Sequence, residues 1–169
     1  TIVTTVAFAK KLGKVPVVVK NAPGFLVNRV LMPYMNEAAY LIEEGISATT
    51  IDEVMLDFGM PMGPFTLLDA VGIDVAHKVS QILYNAFGER MQPAEILDRV
   101  VGAGYLGQKN NKGFYCYDGR KRRQKENQAI YSVMGIRPKH QEVVAQEWQN
   151  RMVFQMLNEA IRCLEEGIV

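Results

Sequence analysis

The chain has 169 residues, of which 49% are hydrophobic and 22% are charged, and its formal net charge is +1 at pH 7. This length predicts one domain, or one domain with parts of others, and the composition is typical of globular proteins. The near-neutral charge gives no reason to expect nucleic acid or a membrane surface as the main partner, and no apolar run reaches the about 18 residues of a membrane span. Cys116 and Cys163 fit neither a disulfide framework nor a metal site, so we expect them to be packing residues.

The first twenty residues combine a helical pattern with a short β-branched run. Residues 1–14 place apolar side chains at helical spacing, and Gly13 ends the pattern. The Pro-Val-Val-Val run at 16–19 predicts a buried parallel strand. Because one strand cannot form a sheet, we expect its partner strands to lie upstream of Thr1.

The pattern after about residue 25 is almost entirely helical. Apolar residues keep helical spacing over 25–44, and Gly45 ends that helix. Residues 50–53 have the form of a capping box and predict a helix that stops at Gly59. Shorter helices are predicted up to residue 71, over about 74–87, and over about 93–101.

Three weaker segments follow this helical array. Residues 114–117 are aromatic and predict an extended segment docked on the helices. Residues 118–128 are basic and have no periodicity, which leaves two interpretations open: a patch that binds phosphate or CoA, or a solvated linker. The linker is favoured because no aromatic residues interleave the charges. Residues 129–147 are weakly helical, so we predict a mainly α fold with at most two short strands, near 16–19 and 114–117.

An internal repeat relates residues 28–46 to residues 150–168. Asn-Arg, Asn-Glu-Ala and Glu-Glu-Gly-Ile recur in the same register, and the positions between them mostly stay apolar. Such a match predicts a duplicated helical unit. The chain begins with Thr1 and ends one residue after the second repeat, which predicts a piece of a longer polypeptide.

Residues with obvious catalytic chemistry are scarce. His77 lies inside a helical pattern and His140 in a polar stretch, and neither has an acidic or cysteine partner at ligand spacing. We interpret both as structural or solvated, and we predict no metal site. The carboxylates fall mostly on predicted exposed helix faces. The Gly-x-Ser-x-Gly elbow and the Gly-rich phosphate-binding fingerprint are absent from the sequence.

Asn28 is the polar residue that stands out. It lies in the first turns of the long helix, just after the Pro23-Gly24 break and among apolar neighbours. Its amide has both a donor and an acceptor, so at the edge of a cleft it could donate to a substrate carbonyl as negative charge develops. The residues alone leave a second interpretation open, in which Asn28 caps or packs the helix.

Several motifs in order identify a family. They are Asn21-Ala22-Pro23-Gly24-Phe25-Leu26-Val27-Asn28-Arg29, Pro61-Met62-Gly63-Pro64, Leu67-Leu68-Asp69-Ala70-Val71-Gly72-Ile73-Asp74 and Gly107-Gln108-Lys109-Asn110-Asn111-Lys112-Gly113-Phe114-Tyr115. Over about residues 1–117 the chain resembles 3-hydroxyacyl-CoA dehydrogenases. The duplicated unit resembles the multifunctional α-subunit of the fatty-acid β-oxidation complex, which joins an enoyl-CoA hydratase to the dehydrogenase.

The resemblance implies a domain organisation. Residues 1–20 would be the last helix and strand of an NAD-binding Rossmann domain, and residues 21–117 the first C-terminal-like helical module. Residues 118–147 would form a basic linker and connecting helix. Residues 148–169 would begin a second helical module, whose Asn-Arg pair lacks the Pro-Gly-Phe lead-in and is therefore expected to be structural.

The resemblance also implies an activity, the NAD-dependent oxidation of L-3-hydroxyacyl-CoA to 3-ketoacyl-CoA in β-oxidation. Asn28 would contact the substrate 3-oxygen as a catalytic and substrate-binding residue, and Lys109 would reach the cofactor side of the cleft. The family's catalytic His and Glu, and its Gly-rich loop, lie upstream of these motifs. This chain alone is therefore expected to be inactive and not to bind NAD.

The implied partners are an acyl-CoA substrate, a second copy of the chain in a homodimer and, for the parent protein, a thiolase β-subunit. The implied location is the bacterial cytoplasm, with mitochondria and peroxisomes left open. Two alternatives remain: a helical dimerisation or scaffold module without catalytic duty, and a dehydrogenase that acts on 3-hydroxybutyryl-CoA.

Overall fold

A computed structural model of the chain describes residues 1–118, 120, 123–139 and 142–169. His140 lies outside the described residues. The described part is mostly helical, which confirms the predicted fold class. None of its helices combines the length and the hydropathy that crossing a bilayer requires.

The described elements are eight α-helices, two 3-10 turns and one β-hairpin. The α-helices are α1 Ile2–Lys11, α2 Val27–Glu43, α3 Ala48–Phe58, α4 Pro64–Val71, α5 Ile73–Phe87, α6 Ile96–Gly102, α7 Gln128–Met134 and α8 Ala145–Glu165. The 3-10 turns are Gly88–Met91 and Gln108–Asn110, and the strands are β1 Tyr115–Tyr117 and β2 Arg123–Glu126. Most predicted helices are thus present.

Helix α2 is the centre of the core. Tyr34, Ala38 and Leu41 on this helix have no exposed surface. Helices α3 to α6 and α8 pack around it, as expected for a helix that is apolar on most of its faces. Burying one large apolar side chain stabilises a fold by about 1.5–3 kcal/mol. This packing therefore fixes α2, the helix whose first turn carries Asn28.

Helix α3 begins earlier than predicted. Its N-cap is Ser47, whose side-chain oxygen accepts a hydrogen bond from the Thr50 N–H at 3.1 Å. The Ala48 N–H donates to the Tyr131 hydroxyl at 2.8 Å. The predicted start at Thr50 was wrong because Ser47 caps the first turn, and because the Tyr131 hydroxyl, a partner that no local pattern shows, accepts from the Ala48 N–H. Gly59 ends the helix, as predicted.

Two buried aspartates are exceptions to the prediction that carboxylates lie mostly on exposed helix faces. Asp52 accepts hydrogen bonds from the Phe65 N–H at 2.8 Å and from the Tyr115 hydroxyl at 2.9 Å. Asp69 accepts from the Phe114 N–H at 3.0 Å and from the Tyr115 N–H at 2.9 Å. The two carboxylates therefore join α3, α4 and the start of β1, because buried carboxylates need such donors.

The basic segment after β1 contains a strand, so the interpretation of this segment as a solvated linker was wrong for β2. The two strands pair antiparallel, with Tyr115 opposite Glu126. The Arg123 guanidinium lies over the Tyr115 ring at 4.5 Å from its centroid, and it donates to the Thr66 hydroxyl at 2.9 Å. These long-range contacts, which sequence periodicity does not reveal, hold β2 on the helices. Strand β1 confirms the predicted extended aromatic segment.

The predicted strand at 16–19 is not formed. Val17 is 60% exposed and Val18 is 57% exposed. The run has no partner strand among the described residues, and a strand is stable only when its backbone groups are paired. Nearby, the Lys20 N–H donates to the Ile168 carbonyl at 2.9 Å. The helix predicted before it is present as α1, and none of its residues is buried.

Helix α8, from the second repeat, packs antiparallel to α2 in the same chain. Arg151 near its start lies 2.7 Å from Glu37 and 2.6 Å from Glu44, near the end of α2. Trp148 and Met152 are buried on the side that faces the core. The second repeat therefore completes the cover over α2.

Candidate functional site

The turn before α2 determines where Asn28 lies. Gly24 and Phe25 have positive φ angles of 74° and 49°, and the Phe25 N–H donates to the Ala22 carbonyl at 2.9 Å. A Cβ at Gly24 would lie 2.7 Å from the Leu83 Cδ2, so a larger residue would have to displace the buried Leu83 side chain. A positive φ at a phenylalanine is uncommon and costs on the order of 1–3 kcal/mol. The surrounding structure holds this turn, and Asn28 emerges from it exposed on the first turn of α2.

Arg29, the next residue, fixes the first turn from the buried side. Its guanidinium is fully buried and lies 2.7 Å from both Glu159 and Glu166 on the second repeat. It also lies over the Phe87 ring, 4.3 Å from the centroid. Burial lowers the pKa of the Arg29 guanidinium, but the two carboxylates outweigh it and the net pKa is raised. Arg29 therefore stays charged and holds Asn28 on the exposed side of α2.

An apolar groove runs beside Asn28 between α2, α4 and α5. Its volume is about 270 Å³. Its floor consists of the buried residues Met32, Met35, Leu68 and Ala76. Its rim consists of the exposed residues Asn28, Val71 and Val75. We call this feature the Asn28 groove, and it places one amide beside apolar walls.

Lys109, the predicted cofactor-side residue, lies in the 3-10 turn Gln108–Asn110. Its ammonium forms an ion pair with Asp74, and this contact lowers the pKa of the Asp74 carboxyl. A Cβ at Gly72 would lie 2.7 Å from the Lys109 Cε, so the lysine covers the backbone between α4 and α5. Lys109 does not line the Asn28 groove, although its partner Asp74 adjoins the rim residue Val75.

His77 belongs to the packing of α5 against α6. Its Nε2 lies 2.5 Å from the Asp98 carboxylate and 3.2 Å from the Gln81 amide. It does not line the Asn28 groove. The part of the chain that the structure describes contains no cluster of His, Cys, Asp and Glu that could hold a metal ion.

The second Asn-Arg pair has a different environment. The Asn150 side-chain oxygen accepts a hydrogen bond from Gln146 at 3.0 Å, one turn earlier in α8. Arg151 pairs with Glu37 and Glu44 on α2. The second pair is thus engaged in helix contacts, and neither Asn150 nor Arg151 lines the Asn28 groove.

A larger cavity lies at the other end of α2. It has a volume of about 410 Å³ and is lined in part by Tyr40, Glu43 and Arg99. Arg99 donates to the Met134 carbonyl at 2.8 Å, and burial raises the pKa of the Glu43 carboxyl. This cavity contains none of the predicted site residues. The Asn28 groove is the better candidate because it joins an exposed amide to an apolar floor.

Sequence reasoning missed the groove walls on α4 and α5. Leu67, Val71 and Val75 carry only the ordinary helical pattern, and that pattern is also what a core face shows. One sequence signal could have identified them: α4 and α5 carry more apolar residues than a single buried helix face requires. The exposed Val71 and Val75 are that excess.

Comparison with known proteins shows the family of the region that contains the site. The model of the "3-hydroxyacyl-CoA dehydrogenase, C-terminal domain" matches residues 24–117, which include Asn28, the Asn28 groove and Lys109. A fatty acid oxidation complex subunit alpha from Shewanella halifaxensis (strain HAW-EB4) is 51% identical over 169 residues, 100% of this chain and 24% of that protein. The Shewanella amazonensis counterpart is 49% identical over 170 residues. The chain thus spans about a quarter of the length of the curated relatives it matches.

Two solved structures share the fold. The dehydrogenase part of multifunctional enzyme 1 from C. elegans matches with a TM-score of 0.74 and 30% identity, covering 99% of this chain and 38% of that one. A (S)-3-hydroxybutyryl-CoA dehydrogenase from Ralstonia eutropha matches with a TM-score of 0.63 and 43% identity, covering 69% of this chain and 42% of that one. The family model matches the motifs that carried the resemblance from Gly24 onward, and the chain belongs to the 3-hydroxyacyl-CoA dehydrogenase family.

Proposed function

We propose that this chain supplies the substrate side of the active-site cleft in an NAD-dependent L-3-hydroxyacyl-CoA dehydrogenase of fatty-acid β-oxidation. The observation that carries the proposal is the placement of Asn28. Its amide is exposed on the first turn of α2, on the rim of an apolar groove, within the region that matches the family. An apolar pocket with a few convergent polar groups is the usual form of a small-molecule site.

The role proposed for Asn28 follows from the charge change at the substrate 3-oxygen. Oxidation converts a secondary alcohol to a ketone: the O–H proton goes to a base, the hydride from C3 goes to NAD, and the oxygen gains negative character on the way. A side-chain N–H placed there donates more strongly as that charge develops. The buried Arg29 ion pairs hold the amide in place before substrate arrives.

Two features of the described residues support an NAD site that lies elsewhere in a longer protein. The ammonium of Lys109 is already paired with Asp74. The described part of the chain shows no Gly-rich turn between a strand and a helix that could hold a pyrophosphate. We therefore place NAD on another domain of a longer protein, as in the family, with Lys109 facing it. The division into 1–20, 21–117, 118–147 and 148–169 belongs to the same proposal.

A second candidate substrate is 3-hydroxybutyryl-CoA. The observation that favours it is the 43% identity to a (S)-3-hydroxybutyryl-CoA dehydrogenase over 69% of this chain. The two candidates share the reaction and differ in acyl length. The relatives named as alpha subunits of a fatty acid oxidation complex favour a role in such a complex. A thiolase β-subunit is the partner that we propose from the family resemblance. The bacterial cytoplasm remains the proposed location.

The third candidate is a helical scaffold without catalytic duty. This candidate also accounts for the packing of α2 against α8, but it assigns no role to the exposed Asn28 amide.

The direct test of the proposed function is NADH formation by the full-length protein with purified L-3-hydroxyacyl-CoA substrates. Turnover that depends on Asn28 supports the proposal. A full-length protein that oxidises none of these substrates, or one that is unaffected by Asn28→Ala, contradicts it.

A further inference from the structure

The Asn28 groove continues along α2 away from Asn28. Met32 and Met35 follow Asn28 at spacings of four and seven residues, so the three side chains share one face of the helix. At 1.5 Å of rise per residue, Met35 lies about 10 Å further along the helix than Asn28. The groove is thus an elongated apolar channel with its amide near one end.

The opposite wall of the groove comes from α4 and α5. Val71 is 54% exposed and Val75 is 41% exposed on the rim, whereas Leu68 is 2% exposed on the floor. A ligand can therefore enter from the side and still bury its apolar surface against the floor. Val71 and Val75 therefore present apolar surface at the rim of the groove.

We propose that this groove binds the acyl chain of the thioester substrate beyond its 3-hydroxyl carbon. Met35 and Val71 then set how long a chain binds well. The inference rests on the proposed function and deepens it, since the family motifs assign no residue to chain length. It makes the floor and rim of the groove specificity determinants in addition to Asn28.

An unbranched acyl chain fits the groove better than other occupants do. The volume of the groove, about 270 Å³, lies just below the roughly 300–1,000 Å³ of drug-sized ligand pockets. The groove therefore has no room for an acyl chain and a nucleotide together. The floor offers no charged side chain to a peptide or a phosphate. Two of the floor residues are methionines, whose flexible thioethers adapt to chains of different length.

The test compares two substrates in the full-length protein, 3-hydroxydecanoyl-CoA and 3-hydroxybutyryl-CoA. The measured quantity is the ratio of their kcat/KM values. Val71→Trp narrows the rim from the surface and should lower this ratio by on the order of tenfold or more, because one methylene in an apolar pocket is worth about 10–200-fold. Met35→Ala lengthens the groove and should raise the ratio.

The matched control is Ile82→Trp. Ile82 lies on α5, the helix of the rim residue Val75, and is 56% exposed, but it does not line the groove. It should leave the ratio unchanged. If Met35→Ala fails to fold, the surface variant Val71→Trp still decides the question. A wild-type enzyme that oxidises both substrates, with a ratio that Val71→Trp and Ile82→Trp leave equal, overturns the groove assignment but not the proposed function. A wild-type enzyme that oxidises neither substrate overturns both.

Discussion

The Arg29 guanidinium and the Glu159 carboxylate form an ion pair at 2.7 Å, with both side chains almost completely buried. Arg29 belongs to the Asn-Arg pair of the first repeat, and Glu159 belongs to the Asn-Glu-Ala block of the second. The reciprocal ion pair also forms: Arg151 of the second repeat lies 2.7 Å from Glu37 of the first. The duplicated sequence thus makes the same contact twice, once in each direction.

Breaking the buried pair should destabilise the fold strongly. Arg29→Met removes the 2.7 Å partner of the buried Glu159 and leaves it with Arg162 at 3.1 Å and Arg90 at 3.9 Å, so we expect the free energy of unfolding in urea to fall by about 3 kcal/mol. Arg151→Met is the matched control, because that arginine and Glu44 are partly exposed, and it should cost about 1 kcal/mol or less. Equal losses for the two variants would contradict the difference in burial.

Asp69 should make stability depend on pH. Burial raises the pKa of its carboxyl from the ordinary 3.8 to about 6, against the hydrogen bonds from Tyr115, Tyr117 and Phe114, which lower it. The folded state then binds more protons than the unfolded state between these values. Stability from this group is therefore fully present below about pH 4 and is lost as the pH rises through about 6.

The Asp69→Asn variant isolates this effect. At about 1.4 kcal/mol per pKa unit, the wild type should gain up to about 3 kcal/mol relative to Asp69→Asn when the pH falls from 7 to 4. Unfolding of both proteins in urea across this range measures the difference. A gain in the opposite direction would mean that the hydrogen bonds to Asp69 outweigh its burial.

Gly63 should tolerate no side chain. A Cβ there would lie 2.3 Å from the Asp52 Cγ, so Gly63→Ala pushes the buried carboxylate off the start of α4. Overpacking of this kind costs about 1–3 kcal/mol. Gly102→Ala is the control, because nothing lies within 4 Å of its Cβ position at the end of α6. Thermal unfolding should show a lower Tm only for Gly63→Ala, and equal shifts would contradict the close approach of Asp52 to Gly63.

Self-association should involve the outer face of α8. Phe154, Leu157, Ile161 and Leu164 are each more than half exposed on this helix. We expect a homodimer in sedimentation at concentrations on the order of tens of micromolar, because an exposed apolar stripe favours a partner. Ile161→Lys should shift the chain toward monomer, whereas Ile82→Lys on α5 should not. A wild-type chain that is monomeric at these concentrations would contradict the dimer.

The helices could be predicted because their signals are local. The Gly45 and Gly59 stops and the spacing of apolar residues along α2 follow from the sequence alone. The Ala48 N–H at the start of α3 donates to the Tyr131 hydroxyl, and β2 depends on Arg123 packing over an aromatic ring. Such partners are distant in sequence, so no window of residues shows them.

The residues of the candidate site also fall into those that have a local sequence signal and those that do not. Asn28 could be singled out because a polar residue after a Pro-Gly break in an apolar stretch is a local signal. The buried role of Asp69 was missed, although a carboxylate inside the apolar run 67–71 was visible. The groove walls were missed because α4 and α5 meet α2 only in the folded chain. The cofactor-side role of Lys109 stays a prediction.

The most direct measurement is the turnover of the full-length protein with Asn28→Ala and with Asn150→Ala. The Asn28 amide should donate more strongly in the transition state than in the ground state, so its loss should lower kcat by about 10²–10³-fold. Asn150 makes a helix contact with Gln146, and its loss should cost about 1 kcal/mol of stability with kcat nearly unchanged. Equal kcat losses in the two variants at equal stability, or an unchanged kcat in Asn28→Ala, would contradict the assignment of the catalytic role to the first repeat.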